Sequence, residues 1–239
     1  MSSTLAATNI TVRFGGLTVI NEVDLHIRPA EVLGLIGPNG AGKTTFVNVL
    51  TGFQKPTSGS VQIGDRDITF TKPEHRARLG LVRTFQAVRL FSAMTVSENI
   101  AAAGLAIGLS RAEVRNRERK LVELLNLGDW MDVEARALPY GIERRVGIAR
   151  AMVSNPAFIM LDEPAAGMNE EEALAFLDVV RAIRETGAGV LLIEHNMGVV
   201  FRLCDRVHVL QSGRTLAVGT PDEIRSHSMV REAYLGSTA

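Results

Sequence analysis

A glycine-rich segment near residue 40 constrains the fold more than any other part of the chain. It follows the short apolar run Val32–Ile36 and precedes residues 44–50, in which Val47 and Leu50 stand at helical spacing. A predicted strand, a loop of pattern G-x-x-x-x-G-K-[ST] and a predicted helix form the context in which this motif binds phosphate groups. The loop consists of Gly37, Pro38, Asn39, Gly40, Ala41, Gly42, Lys43, Thr44 and Thr45.

The residue types of this loop suit phosphate binding. Glycines allow the backbone to curl with its N–H groups around an anion, and the following helix directs its positive N-terminal end to the same place. Lys43 supplies a mobile cation for β- and γ-phosphates, and the Thr44 hydroxyl is a ligand for Mg²⁺. With glycine at about 7% of residues, a chance match is on the order of 1%. We therefore predict nucleoside triphosphate binding.

Composition excludes several classes of protein. The chain has 239 residues, 46% of them hydrophobic, which indicates one large domain or a domain with an insertion. A formal net charge of zero gives no general attraction to nucleic acid or anionic lipid. The single cysteine, Cys204, excludes an intramolecular disulfide, fits a reducing compartment and is expected to be buried.

Neither a secretory signal nor a membrane span is expected. The first ten residues lack a basic start and an apolar core. The longest candidate membrane stretch, residues 100–109, is far shorter than the ~20 residues that a span needs. We expect the chain to be soluble by itself and to reach a membrane only through a partner.

The predicted elements form an α/β pattern. The first part is β-rich, with strands over 8–14, 19–27 and 60–64, and the character becomes helical from Thr95. Capping boxes begin at Thr95 and Ser110, and the second helix is expected to end at Gly128. Unbroken apolar runs at 158–161 and 190–193 are typical of buried parallel strands. A hairpin over 207–218 and a helix that begins after Thr220 complete the pattern.

The predicted fold is therefore a P-loop NTPase core with an inserted α-helical subdomain. Its sheet is mostly parallel and has an N-terminal antiparallel β part. Residues 1–88 and 156–239 are assigned to the core, and residues 89–155 to the helical subdomain. The arginine-rich run 111–120 contains interleaved glutamates, which favours a solvated helix face over a nucleic-acid patch.

Polar residues follow the predicted core strands. Asp162 and Glu163 end one strand, where a carboxylate can hold Mg²⁺ through water and its neighbour can orient or deprotonate a water molecule. An acidic pair that caps the next helix is an alternative of similar weight, until the phosphate loop is considered. His195 follows the next strand, and Gln86 stands where the β-rich part meets the helical one. Gln86 is uninformative by itself.

The order of these features resembles the ATP-binding subunit of ABC transporters over nearly the whole chain. Within that family, seven phrases look like the branched-chain amino-acid uptake class. They are Arg83-Thr84-Phe85-Gln86, Leu90-Phe91, Met94-Thr95-Val96, Glu98-Asn99, Leu161-Asp162-Glu163-Pro164-Ala165-Ala166-Gly167, Ile193-Glu194-His195-Asn196-Met197 and Ala233-Tyr234-Leu235-Gly236. The resemblance implies an ATPase that uses ATP and Mg²⁺ to drive uptake of branched-chain or related amino acids.

Roles for single residues follow from the same resemblance. Phe14 would stack on adenine, although it is also an ordinary strand residue, and residues 37–45 would bind the phosphates. Thr44, Gln86 and Asp162 would hold Mg²⁺. Glu163 would be the general base, His195 would contact the γ-phosphate, and Lys43 would assist catalysis. Gln86 would also touch the attacking water and report to a membrane subunit.

The resemblance also implies partners. These are a second ATP-binding subunit (in a homodimer or a heterodimer), integral membrane permease subunits and, indirectly, a periplasmic or extracellular solute-binding protein, with no nucleic acid. The chain would then lie at the cytoplasmic face of the inner (plasma) membrane as a peripheral subunit. Residues 87–91 next to Gln86 are expected to form the coupling surface, with Val88, Leu90 and Phe91 exposed.

Two segments depart from the family pattern. The signature Leu-Ser-Gly-Gly-Gln reads here Leu138-Pro139-Tyr140-Gly141-Ile142, and the loop at 165–169 lacks the common Ser and Asp. In the family, the signature faces the ATP that the partner subunit holds. We therefore expect this chain to complete its partner's site with a weaker set of donors.

Two other classes compete with the transport ATPase. A soluble ABC-type ATPase that acts on nucleic acid or ribosomes usually carries a coiled-coil insertion or two ATP-binding halves, and the insertion here is short and lacks sustained heptads. A P-loop kinase or GTPase would not explain an acidic pair followed by a strand and His195.

Overall fold

A computed structural model describes residues 4–85, 88–168 and 170–232. Strands and helices in these ranges are numbered here in chain order. The strands are β1 (Leu5–Phe14), β2 (Leu17–Ile27), β3 (Val32–Ile36), β4 (Ser58–Ile63), β5 (Arg66–Asp67), β6 (Leu81–Arg83), β7 (Phe158–Asp162), β8 (Gly189–Ile193), β9 (Arg206–Gln211) and β10 (Arg214–Gly219).

The helices alternate with the later strands. They are α1 (Lys43–Thr51), α2 (Pro73–Arg78), α3 (Val96–Ala106), α4 (Arg111–Leu124), α5 (Tyr140–Met152), α6 (Glu170–Glu185), α7 (Met197–Leu203), α8 (Pro221–Ser226) and α9 (Ser228–Val230). Short 3-10 turns occupy Gly128–Trp130 and Ala135–Ala137.

Two sheets form the core. The antiparallel sheet has the order β2-β1-β4-β5, and the larger sheet has the order β10-β9-β3-β8-β7-β6. Strands β9, β3, β8, β7 and β6 run parallel, and β10 pairs with β9 as an antiparallel hairpin. The predicted combination of a mostly parallel sheet with an N-terminal antiparallel part is confirmed.

The larger sheet is covered on both faces, which explains its unbroken apolar strands. Because side chains alternate along a strand, Leu33 and Leu35 of β3 pack into one cluster with the antiparallel sheet and α1. Val32 and Ile36 pack into the other, together with residues of α3 to α7. The parallel strands of the larger sheet are therefore buried from both sides.

The first two helices of the helical region begin where the sequence predicted, but the second of them ends earlier than predicted. Both capping boxes are present, at Thr95 and at Ser110. The expectation that the second helix ends at Gly128 is wrong: α4 ends at Leu124, and Gly128 begins a 3-10 turn. Asn126 adopts a left-handed φ of 50°, which lets the chain turn so that Leu125 and Leu127 are both buried. The boundaries of the subdomain at 89–155 stay a prediction.

The helix that follows the phosphate loop is fixed at its C-terminal end by a buried arginine. Arg76 donates to the carbonyl oxygens of Val49 and Leu50, at 2.7 and 2.6 Å, and to those of Thr69 and Thr71. Burial lowers the pKa of Arg76 to about 10. A cation at the last carbonyls suits the negative end of the helix dipole. Arg76 therefore fixes the end of α1 that lies opposite the phosphate loop.

The single cysteine has the packed environment that the sequence predicted. Cys204 is buried, and burial raises the pKa of its thiol, which is the state of a packed rather than a reactive cysteine. In the described ranges, no helix combines the length and apolar character needed to cross a bilayer.

Candidate active site

Four strand ends meet at one edge of the larger sheet. Strand β8 pairs in parallel with β3 and with β7, and β7 pairs in parallel with β6. The carboxyl ends of parallel strands lie at the same edge, so the phosphate loop, Asp162, Glu163 and His195 come together there, as the sequence predicted. Arg83 ends β6 at this edge. Gln86, which follows it, lies outside the described residues.

The phosphate loop needs glycine at two positions. A Cβ atom at Gly37 would lie 2.3 Å from the Leu210 carbonyl oxygen, and one at Gly42 would lie 2.6 Å from Ile20 Cδ1. Gly42 also adopts a left-handed φ of 100° as it leads into α1. The loop is thus pressed against β2 and β9 by residues without side chains, which leaves its outer surface open.

The first turn of α1 presents free backbone donors. Among the described residues, the N–H groups of Lys43, Thr44 and Thr45 have no hydrogen-bond acceptor, the usual condition of a helix N-terminus without a capping side chain. The Thr44 side chain is exposed beside them. Three amides at the positive end of a helix dipole form an anion site.

The Lys43 ammonium lies across the loop. Its Nζ donates to the carbonyl oxygens of Gly37 and Pro38, at 2.6 and 3.2 Å. Burial lowers the pKa of Lys43, and the nearby carboxylates of Glu163 and Asp162 oppose that shift. The ammonium therefore sits between the loop and the acidic pair.

Asp162 has a partner that the sequence did not indicate. Its Oδ2 atom accepts a hydrogen bond from Arg83 Nη2 at 2.5 Å, and both side chains are mostly buried. The two residues are 79 positions apart, and only the pairing of β6 with β7 brings them together. A sequence pattern offers no signal for such a pair.

Glu163 stands in an unusual backbone conformation. Its φ is 46°, in the left-handed region, and its N–H donates to the Ile193 carbonyl oxygen at 2.9 Å. Non-glycine residues in this region cost of order 1–3 kcal/mol and cluster at functional sites. The side chain is half-buried at the sheet edge, where the strand turns out of the sheet.

Glu194 is a second residue that sequence analysis overlooked. It is 1% exposed and accepts hydrogen bonds from the backbone N–H groups of Ala165, at 2.9 Å, and His195, at 3.2 Å. Burial raises its pKa, while these amides and that of Asn196 oppose the rise. Its carboxylate ties the loop after Glu163 to the residue that precedes α7. An acidic residue that ends the apolar run 190–193 was the available signal.

His195 and Phe14 are both accessible. His195 is exposed at the end of β8, and Phe14, at the end of β1, is 50% exposed beside the Gly15-Gly16 turn. An exposed aromatic ring on the strand pair that contacts the phosphate loop is available for stacking.

The signature segment lies at the start of α5. Leu138 packs against the core, Pro139 is the N-cap residue and Tyr140 is exposed. The Tyr140 hydroxyl donates to the Ala166 carbonyl oxygen at 2.9 Å. Gly141 and Ile142 follow in the first turn, both half-buried.

Arg144 completes this contact. It donates to the Tyr140 hydroxyl and stacks over its ring, with 4.9 Å from Cζ to the centroid. The signature is therefore attached, within this chain, to the loop that follows Glu163.

A groove of about 490 Å³ opens between the core and the helices. The sequence predicted that Val88, Leu90 and Phe91 are exposed, and this is correct only for Phe91. Leu90 packs against the core and Val88 lies against Gly147. Both side chains are half-buried because they pack on the protein's own apolar surface, and Val88 also lines the groove.

The residues at this edge of the larger sheet fit a nucleoside triphosphate with Mg²⁺. The amides and Lys43 match phosphate oxygens, and the Thr44 hydroxyl and Asp162 carboxylate are oxygen ligands of the kind that Mg²⁺ prefers. In the described part of the chain, no group of three or more His, Cys, Asp or Glu side chains forms a metal site alone. Mg²⁺ usually binds through one or two carboxylates together with substrate phosphates.

This fold and edge define a P-loop nucleoside triphosphatase. Residues 20–166 match the family described as ABC transporter, and residues 214–239 match the one described as Branched-chain amino acid ATP-binding cassette transporter. The chain belongs to the ABC transporter family, of which it is an ATP-hydrolysing member.

Relatives and solved structures agree over the full length. The chain is 43% identical to the high-affinity branched-chain amino acid transport ATP-binding protein LivG of Salmonella typhimurium, over 99% of both chains. It is 41% identical to the corresponding BraF of Pseudomonas aeruginosa, over 97% of both. The crystal structure of the ADP conformation of MJ1267, an ATP-binding cassette of an ABC transporter, superposes with a TM-score of 0.91 at 30% identity and covers 99% of this chain and 100% of that one. A soluble ATPase acting on nucleic acid or ribosomes is not favoured.

Proposed function

We propose that this chain powers a transporter that imports branched-chain or related amino acids. The observation that carries the proposal is the full-length identity of 41–43% to LivG and BraF, and the match of residues 214–239 supports it. The sheet edge supplies the chemistry: a phosphate loop, an acidic pair and a histidine in one place.

In the proposed site, the phosphate loop from Gly37 to Thr45 binds the phosphates through its amides and Lys43. Phe14 stacks on the adenine. Thr44 and Asp162, with Gln86, hold Mg²⁺, which when bound neutralises charge on the phosphate oxygens. Glu163 takes the proton of the attacking water, and His195 donates to the γ-phosphate.

The proposed assembly contains two ATP-binding subunits and membrane permease subunits, served by a solute-binding protein, at the cytoplasmic face of the inner membrane. A second subunit is required because the signature, Leu138 to Ile142, would act on the ATP of its partner. The groove supports docking of a permease: it is lined by exposed aromatic rings, Phe53 and Phe85, and by apolar residues of α3 and α5.

Reconstitution with the permease partners tests the transport proposal. We expect ATP hydrolysis by the assembled complex to rise when its binding protein carries leucine, isoleucine or valine, and to stay at the basal rate with an unrelated amino acid such as lysine. The subunit alone should hydrolyse ATP slowly. Stimulation by lysine and none by leucine would reject the proposed substrate and leave the ATPase intact.

Cysteine crosslinking tests the docking groove. Because Cys204 is buried and is the only native cysteine, a single introduced thiol reports its own position. Phe53→Cys, 55% exposed in the groove, should crosslink to a permease loop. Phe70→Cys, 71% exposed and outside the groove, is the matched control. Equal crosslinking from both positions would count against the groove.

A further inference from the structure

The guanidinium of Arg83 joins two parts of the active edge. Arg83 is the last residue of β6, and only 6% of its side chain is exposed. Its Nη2 donates to Asp162 Oδ2 at 2.5 Å, and its Nη1 donates to Asn48 Oδ1 at 2.6 Å. Asn48 stands on α1, five residues after Lys43. One side chain thus connects the helix of the phosphate loop to the acidic strand.

The same guanidinium is also stacked. Its Cζ atom lies 4.9 Å from the centroid of the Phe85 ring, and Phe85 meets Phe53 edge to face with 5.6 Å between centroids. Because the guanidinium is planar and its donors are fixed in a fork, contacts on one face and two edges leave it one orientation. Arg83 is therefore held in one orientation, and it fixes the orientation of the Asp162 carboxylate in turn.

We propose that Arg83 is a positioning residue for the metal-binding function of Asp162. This inference rests on the proposed function, in which Asp162 holds Mg²⁺. A mostly buried carboxylate without a cation is costly and free to rotate, whereas one fixed by a charge-assisted hydrogen bond keeps its orientation. Partners of metal ligands act in this way, and their removal typically lowers metal affinity or activity by 10- to 100-fold.

The measurement is the gain in ATP affinity that Mg²⁺ produces. ATP binding is followed by calorimetry with Mg²⁺ and with EDTA, in a Glu163→Gln background that prevents hydrolysis. We expect Arg83→Gln to reduce the Mg²⁺-dependent gain by about 10- to 100-fold and to leave the affinity measured in EDTA unchanged. Arg83→Lys keeps the charge but loses the fork, and should fall between Arg83→Gln and the parent.

A purely structural role predicts a different pattern. If Arg83 only stabilises the fold, its loss lowers the unfolding temperature and weakens both affinities together. Asn48→Ala is the matched control, because it removes the other hydrogen bond of Arg83 and leaves the contact to Asp162. It should keep the full Mg²⁺-dependent gain, because the Phe85 ring and the hydrogen bond to Asp162 still fix the guanidinium.

Asp162→Asn in the same assay separates this inference from the proposed site. If Asp162→Asn abolishes the Mg²⁺-dependent gain while Arg83→Gln and Arg83→Lys keep it, the role of Arg83 is rejected and the proposed site stands. If Asp162→Asn itself keeps the gain, the proposed metal role fails. A larger gain in Arg83→Gln also overturns the inference, since Arg83 would then compete with Mg²⁺ for Asp162.

Discussion

The start of α1 and the start of α5 are both helix N-termini without a capping side chain, yet they are built differently. At α1, glycines set the backbone, and the first three helical amides have no acceptor among the described residues. At α5, the Pro139 carbonyl oxygen accepts from Ile142 and Glu143, both at 3.0 Å. In the first turn of α5, the amides of Tyr140 and Gly141 therefore have no acceptor among the described residues.

The difference lies in what each end requires. The α1 end is surrounded by strands of its own chain, so a single subunit can form it. The α5 end is exposed, and its contacts run back to the loop after Glu163 through Tyr140. We infer that the first end binds phosphate alone, whereas the second acts only when a partner brings phosphate to it.

Glu163→Gln is expected to have the largest effect on the nucleotide site at the start of α1, because Glu163 lies close to Lys43. Because it removes the proposed base and keeps the size of the side chain, hydrolysis by the assembled complex should fall by about 10²- to 10⁴-fold. ATP affinity of the subunit should stay the same, since the amides and Lys43 are untouched. Steady-state hydrolysis and calorimetric titration provide the two numbers.

Two controls accompany this variant. Glu163→Asp keeps the carboxylate and should retain more activity than Glu163→Gln. Turnover by Glu163→Gln equal to that of the parent complex would show that another group is the base.

Lys43→Ala is expected to have the next largest effect, on binding rather than on turnover. It removes a charged donor at the phosphates, worth about 1.5–3 kcal/mol, or roughly 10- to 150-fold in the dissociation constant of ATP. Lys43→Arg keeps the charge and should bind more tightly than Lys43→Ala. Equal ATP affinity of Lys43→Ala and the parent would remove Lys43 from the site, provided that both variants unfold at similar temperatures.

The two helix ends also differ in how far the sequence predicted them. The phosphate loop lies within nine consecutive residues, and its backbone geometry follows from glycines that can be read directly. Buried strands at 158–161 and 190–193 predicted the shared edge, since a parallel sheet brings strand ends together. By contrast, the hydrogen bonds from Arg83 to Asp162 and from Tyr140 to Ala166 join residues that only the tertiary structure brings together. No local sequence pattern predicts these two contacts. The end of α4 was misplaced because burial of Leu125 and Leu127, rather than a glycine, decides where that helix stops.

Glu194 and the start of α5 hold the same loop, since Glu194 accepts from the amide of Ala165 and Tyr140 donates to the carbonyl oxygen of Ala166. Glu194→Ala would leave the buried amide of Ala165 unpaired, which costs about 1–3 kcal/mol of stability. We expect a lower unfolding temperature and slower hydrolysis. Tyr140→Phe, which removes the contact on the other side, is the comparison variant and should lose less because Tyr140 is 47% exposed, whereas Glu194 is 1% exposed.

The pH dependence of stability gives a second test of Glu194. Burial raises the pKa of Glu194, so the folded state binds this proton more readily than the unfolded chain. Its contribution to stability is therefore fully present below the ordinary glutamate value of about 4.3, and it is lost as the pH rises from there through the raised value. Glu194→Gln does not titrate. The free energy of unfolding of Glu194→Gln minus that of the parent should increase with pH across this window. A difference independent of pH would reject the raised pKa.

The smallest expected effect comes from restoring the common signature at α5. Pro139 has neither a hydroxyl nor an N–H to offer, and a serine there would add a donor toward the phosphate held by the partner. The amides of Tyr140 and Gly141 are already available, so we expect a gain of only about 0.5–1.5 kcal/mol, or roughly two- to tenfold in ATP-dependent dimerisation, for Pro139→Ser with Ile142→Gln. Sedimentation of the Glu163→Gln subunit with ATP measures this.

A serine at this position also has a second possible action, because its hydroxyl oxygen can cap α5 by accepting from the N–H of Gly141 or Ile142. Capping raises the unfolding temperature without nucleotide, whereas a phosphate contact acts only when ATP is bound. Pro139→Ala, which gains the N–H but not the hydroxyl, separates the backbone amide from the side chain. If the double variant dimerises no more tightly and hydrolyses ATP no faster than the parent, the exposed end of α5 is competent with its proline, and the contrast between the two helix ends lies in their partners rather than in their donors.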